Sequence, residues 1–275
     1  METSRDNSRV HENNQVLEMS LMSVLGDRED QQDSYGYRLG DKESIVVLGD
    51  GMGGYEGGRR ASDTVVNMVL KAFDEKDEDI TPPEFIREAL IKANEQVCEI
   101  SDDRGERIKC GSTAVVILIK ENELYWGSVG DSRAYLYRNG EFAQFTLDHN
   151  YFTVLCEQRN AGVISEDEFL MKSLDAEALI SYVGIGDLKL IDYNDRAFLL
   201  EKDDVIVIMS DGLYKLVSDE DMMGIIENFK NIEEALTAME QKARNISLML
   251  EKPRDNTTIG IIRINQEAED ESSKM

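Results

Sequence analysis

The chain has 275 residues, 56 acidic against 30 basic side chains, a formal net charge of −26 and 41% hydrophobic residues. That apolar share supports a sizeable core in one large domain or two small ones, and the charge argues against a nucleic-acid backbone or an anionic membrane surface as partner. With only two histidines, His11 and His149, a three-histidine zinc site is excluded, so a catalytic metal here would take oxygen ligands, which favours Mg²⁺, Mn²⁺ or Ca²⁺.

Residues 1–14 are polar and without period, which predicts a flexible N-terminal tail lacking the apolar core of a secretory signal. No apolar run approaches the ~20 residues that span a bilayer. Three cysteines without C-x-x-C spacing read as reduced thiols. The expectation is a cytoplasmic protein. A strand is predicted at 44–48 (SIVVL), followed by a helix over 57–73 with Ala61, Val65, Met68, Val69 and Ala72 on one stripe. A second helix runs from Pro82 to about residue 100 with Thr81 as its cap. Strands at 114–119, 124–129 and 134–137, turning at KENE and at Asn139-Gly140, predict an antiparallel meander through residue 146. Residues 147–180 read as short helices and loops over one end of the fold. A strand at 205–209, helices at 219–228 and 232–250, and a last strand at 257–264 complete the pattern. The acidic stretch 266–275 is expected to form a mobile tail. One domain over residues 15–265 follows, an α+β fold in which a central β-sandwich is flanked by helices on both sides.

Five aspartates sit at strand ends or turns beside glycine or small polar residues: Asp33, Asp50, Asp131, Asp211 and Asp255. Each alone is most simply a turn or cap residue. Together they can converge on one edge of a sandwich, where carboxylates repel unless cations lie between them. The run DEKDED at 74–79 is contiguous rather than alternating, so it reads as a solvated loop and not a calcium site. His149 reads as a buttress for the turn after the meander, and Trp126 as a packing residue. The stretch from Cys98 to Arg104 nears the spacing of a cysteine phosphatase loop but lacks its glycine-rich anion cradle.

The segments GDREDQQDS, VVLGDGMGGYEGG, GST, VGDSRAYLYRNG, TLDHN, MSDGL and RDNTT occur in an order and spacing that resembles the metal-dependent protein phosphatases of the 2C type, the bacterial branch most closely, over residues 26–264. The resemblance implies an α-β-β-α sandwich of two antiparallel sheets between helix pairs, with a flap at about 150–181. It implies hydrolysis of phosphoserine and phosphothreonine by a hydroxide shared between two Mn²⁺ or Mg²⁺ ions. Asp50 would bridge the pair, the Gly51 carbonyl would hold one ion, and Asp211 and Asp255 would complete the set. Asp33 would act through a metal-bound water, and Asp131 with Asp211 would hold a third, weaker ion. Arg28 occupies the phosphate-binding arginine position. The implied partners are phosphoproteins made by a Ser/Thr kinase, and a monomer is expected. Met52 stands where eukaryotic relatives carry a histidine, so no histidine general acid is expected beside Asp50, and Gln31 and Tyr55 are further departures. The competing reading is a pseudophosphatase that keeps the fold and only docks partners.

Overall fold

The apolar runs at 44–48, 114–119 and 205–209 are unbroken rather than alternating because both faces of their strands are covered. The structure, a computed structural model, describes residues 7–174 and 176–265. Strands β1 (Asn7–Asn13), β2 (Leu17–Val24), β3 (Asp33–Arg38) and β4 (Glu43–Met52) open the chain, followed by helices α1 (Gly54–Glu75) and α2 (Pro82–Cys98). Next come β5 (Gly111–Ser112), β6 (Ala114–Lys120), β7 (Glu123–Val129), β8 (Arg133–Arg138) and β9 (Glu141–Gln144). Helices α3 (Tyr151–Asn160) and α4 (Glu166–Ser173) and the short strands β10 (Asp192–Tyr193) and β11 (Phe198–Leu199) precede β12 (Val205–Met209), α5 (Asp211–Tyr214), α6 (Asp219–Asn228), α7 (Ile232–Leu250) and β13 (Thr257–Ile264).

Two antiparallel sheets result. One runs β1-β2-β13-β12-β8-β9, the other β10-β7-β6-β4-β3 with β11 on β7 and β5 on β4. Alternation along β4 sorts its residues. Val46 and Leu48 face the other sheet among Leu21, Ile117, Ile208 and Ile262. Ile45 and Val47 face α1 and α2 through Val65, Val69 and Leu90. On the opposite side Val207, Met209 and Ile261 meet Met222, Leu236 and Met239 of α6 and α7. The expected α-β-β-α sandwich is the observed one, with the helix capped by Ser218 and the long helix that follows it both in place; the Ser218 hydroxyl accepts from Asp221 N at 3.2 Å.

Two expectations are corrected. Residues 7–13, expected to fray, form β1, which pairs with β2 from Asn7↔Val24 to Asn13↔Glu18. It is an edge strand with little of its surface buried, so its sequence carries no apolar signature. The meander is not one sheet: β6 and β7 pair in one and β8 and β9 in the other, and the chain crosses between them at Gly130, whose φ of 99° an L side chain rarely adopts. The segment expected to cover one end contains α3 and α4, which pack through Leu155 and Phe169. The rest of the predicted tails, 1–6 and 266–275, lies outside the described residues. Among the described residues no helix is long and apolar enough to cross a membrane.

Candidate active site

Register alone brings two predicted carboxylates face to face. Asp33 of β3 lies directly opposite Asp50 of β4, and like charges so paired are destabilising. In the other sheet Met209 ends β12 paired with Ile259 of β13 and Arg133 of β8. Asp211, Asp255 and Asp131 therefore leave neighbouring strand ends on the same rim. Ser210 joins the two sheets there: its hydroxyl donates to Asp33 Oδ2 at 2.7 Å and accepts from Thr258 N at 2.9 Å.

Asp50, Gly51, Asp211 and Asp255 line one cleft of about 580 Å³ together with Arg28 and Met52. Asp33 and Asp131 are buried. Burial pushes the Asp33 carboxyl up to about 7; the Ser210 and Thr258 hydroxyls oppose the shift, and Asp211 and Asp255 add to it. Burial also raises Asp50 well above the carboxylate range, helped by Asp33, Asp211, Asp131 and Asp255 in turn. Asp131 is pushed up to about 6 by burial and by Asp211, against the pull of Lys215 and a hydrogen bond from Tyr214. These carboxylates from distant parts of the chain thus sense one another.

The backbone here has no room for side chains. A Cβ on Gly51 would lie 2.0 Å from the Gly58 carbonyl oxygen and 2.7 Å from that of Gln32, to which the Gly51 amide donates at 3.0 Å. A Cβ on Gly212 would lie 2.1 Å from the Asn256 carbonyl oxygen, so these glycines set how closely strand-end loops approach. Arg28 Nη2 donates to Asp255 Oδ2 at 2.5 Å, and the Arg28 side chain is 60% exposed.

Several residues gave no sign in the sequence of a positioning role. Thr113 Oγ1 accepts from Asp50 N at 2.9 Å. Asn256 Oδ1 accepts from Gln32 N at 2.8 Å while its amide donates to the Leu25 carbonyl. Gln31, one of the departures, accepts from Asp33 N at 2.9 Å and donates to Ser23. All lie inside the quoted motifs, but a short polar residue beside an aspartate reads equally well as a turn former. His149 is buried, its Nδ1 accepting from Gly130 N at 3.2 Å, so it holds the turn that carries Asp131 and does not line the cleft. With Met52 in the cleft wall, no histidine stands beside Asp50.

The donors suit a hard divalent cation in kind, being carboxylates and a carbonyl. Asp33 Oδ1 is buried without a hydrogen-bond partner, and the raised Asp50 and Asp33 carboxyls would be relieved by nearby positive charge. Among the described residues no three acidic, histidine or cysteine side chains are grouped tightly enough to hold an ion unaided. That is no bar to Mg²⁺-like ions, which keep several waters and need only one or two carboxylates each. Part of the negative charge is meanwhile offset by Arg28 on Asp255 and by Lys215 on Asp211, the latter at 2.8 Å.

Comparison with known proteins points the same way. The family model described as Protein phosphatase 2C matches residues 8–155. A putative protein phosphatase of Mycoplasma genitalium is 27% identical over 248 residues, 86% of this chain and 91% of that protein. The solved serine/threonine phosphatase of S. agalactiae superposes with a TM-score of 0.73 at 25% identity, covering 90% of this chain and 99% of its own. The catalytic domain of the serine/threonine phosphatase PstP, solved with two manganese ions, shares the fold with a TM-score of 0.73 at 24% identity over 91% of this chain and 99% of its own.

Proposed function

Because the chain belongs to the protein phosphatase 2C family, we propose that it is a divalent-metal-dependent phosphatase that hydrolyses phosphoserine and phosphothreonine in proteins phosphorylated by a Ser/Thr kinase. The observation that carries this reading is the gathering of Asp33, Asp50, Asp211 and Asp255 at one rim, with Asp33 paired against Asp50 in the sheet and one buried carboxylate oxygen unpartnered. A docking module has no use for that unfavourable charge.

Asp50, the Gly51 carbonyl, Asp211 and Asp255 are the groups that would hold a pair of Mn²⁺ or Mg²⁺ ions, with Asp33 behind them. When bound, such ions acidify an attacking water toward neutrality and offset charge on the phosphoryl oxygens. Arg28 binds and orients the phosphoryl group: its fork is always charged, and the exposed part of the side chain faces the same cleft as Asp50. The attacking group and the leaving serine or threonine oxygen must then lie in line across phosphorus. Ser210 and Thr113 fix Asp33 and the Asp50 backbone so that the carboxylates keep their places as charge develops.

The test is hydrolysis of a phosphothreonine peptide with Mn²⁺ supplied or chelated. Activity should depend on the metal, and Asp50→Asn or Asp211→Asn should each cost more than the roughly 100-fold typical of losing an outer-shell partner. Near-wild-type turnover in either variant, or equal turnover in chelator, refutes the reading.

A further inference from the structure

The resemblance implies a third, weaker ion held by Asp131 and Asp211, and one of those two carboxylates already carries a cation supplied by the chain. Lys215 follows Asp211 by four residues, one helical turn, which sets both side chains on the same face. Its Nζ lies 2.8 Å from Asp211 Oδ2 and 3.0 Å from Glu177 Oε2. Its charge also reaches Asp131, where it opposes the push from burial and Asp211. The hydroxyl of Tyr214, the residue before Lys215, likewise opposes the upward push on the Asp131 carboxyl. The Tyr214 ring in turn packs under the Arg133 guanidinium, 3.7 Å from centroid to carbon, and Arg133 is fixed by a fork of hydrogen bonds to Asp148. One short stretch of chain, Tyr214 and Lys215, thus contacts Asp211 directly and bears on Asp131, the two carboxylates a third ion would need.

We propose that the Lys215 ammonium stands permanently in place of the third divalent ion, so that this protein binds two such ions where Asp131 and Asp211 would otherwise admit three. The proposal rests on the reading of the cleft as a divalent-cation centre. An ammonium tethered one turn from Asp211 is present at an effective concentration no free ion matches. It also repels any divalent ion approaching Asp131. A lysine ammonium is charged at neutral pH, and here it stands between two carboxylates, Asp211 and Glu177, with an oxygen of each within 3.0 Å. Glu177 belongs to the segment after α4, so the same ammonium ties the flap to the rim.

Counting bound Mn²⁺ by equilibrium dialysis, with calorimetry to separate the sites, tests this without reference to turnover. Wild-type protein should bind two ions per chain, and Asp131→Asn should leave that number unchanged. Lys215→Gln should gain one weak ion, and the double variant Lys215→Gln/Asp131→Asn should lose it again. A wild type that binds three ions and falls to two in Asp131→Asn overturns the inference while leaving the divalent centre intact. Two ions in a folded Lys215→Gln overturns it as well. A wild type that binds no Mn²⁺ removes the centre itself and the inference with it. If Lys215→Gln fails to fold, as its melting curve would show, the comparison of wild type with Asp131→Asn still decides.

Discussion

Asp33 and Asp50 face one another across a pair of strands, and the cost of that pairing can be read through pH. The Asp33 carboxyl titrates near 7 in the folded protein against an ordinary value of 3.8, and Asp50 is raised too. Between those two values the folded protein holds a proton that the unfolded chain has released. The associated stability is fully present below about pH 4 and is lost as pH rises through 7. Metal-free protein should therefore melt higher at pH 5.5 than at pH 8, by on the order of 5 °C, and differential scanning calorimetry in chelator would show it. Saturating Mn²⁺ should flatten or reverse that slope, because cations favour the ionised carboxylates and protons leave as they bind. A metal-free melting temperature that climbs from pH 5.5 to 8 would contradict the burial and mutual repulsion described here. Ser210 makes the same point from the other side. Its hydroxyl holds Asp33 Oδ2, so Ser210→Ala should weaken Mn²⁺ binding by roughly 10–100-fold in a calorimetric titration, with little change in the far-ultraviolet spectrum.

Strands and helices matter here mainly through where they end. Asp211 and Asp255 are brought together because β12 and β13 are neighbours and the loops beyond them touch, with Gly212 against the Asn256 backbone. Gly212→Ala must displace that loop, a strain of about 1–3 kcal/mol, and both melting temperature and Mn²⁺ affinity should fall. Gly224, inside α6 with nothing within 4 Å of a Cβ, is the internal control: Gly224→Ala should stabilise by up to ~1 kcal/mol and leave Mn²⁺ affinity alone. Much of this was legible in the sequence. The strand at 205–209, the last strand and the long helix at 232–250 carry strong, unambiguous patterns, and all five aspartates lie on one rim. What the sequence hid has physical causes. β1 buries too little to need apolar residues. The break between β7 and β8 depends on one backbone angle at Gly130, of which the Asn139-Gly140 turn at the far end of β8 gives no hint. Lys215 reads as an ordinary helix lysine until Asp211 and Glu177 are found on either side of it.

At the scale of the whole molecule, the excess of 26 negative charges bears on which phosphoproteins can approach. A phosphorylated segment is itself anionic, and the field of the protein repels it until it reaches the mouth of the cleft, where Arg28 and, on the function proposed above, bound cations supply positive charge. Approach should then be easiest for phosphosites flanked by lysine or arginine, whose charges are drawn to the acidic surface while the phosphate is carried toward Arg28. Diffusional steering of this kind acts over about a Debye length, ~10 Å at 0.1 M salt and ~3 Å at 1 M. Two phosphothreonine peptides of equal length, one with basic and one with acidic flanks, should therefore differ in kcat/KM by about 10-fold or more at low salt, and the difference should shrink toward unity near 1 M while kcat changes little. A flank preference unaffected by salt would place recognition in short-range contacts along the cleft rather than in the charge of the molecule. A preference for acidic flanks would show that local positive charge at the rim outweighs the rest of the surface.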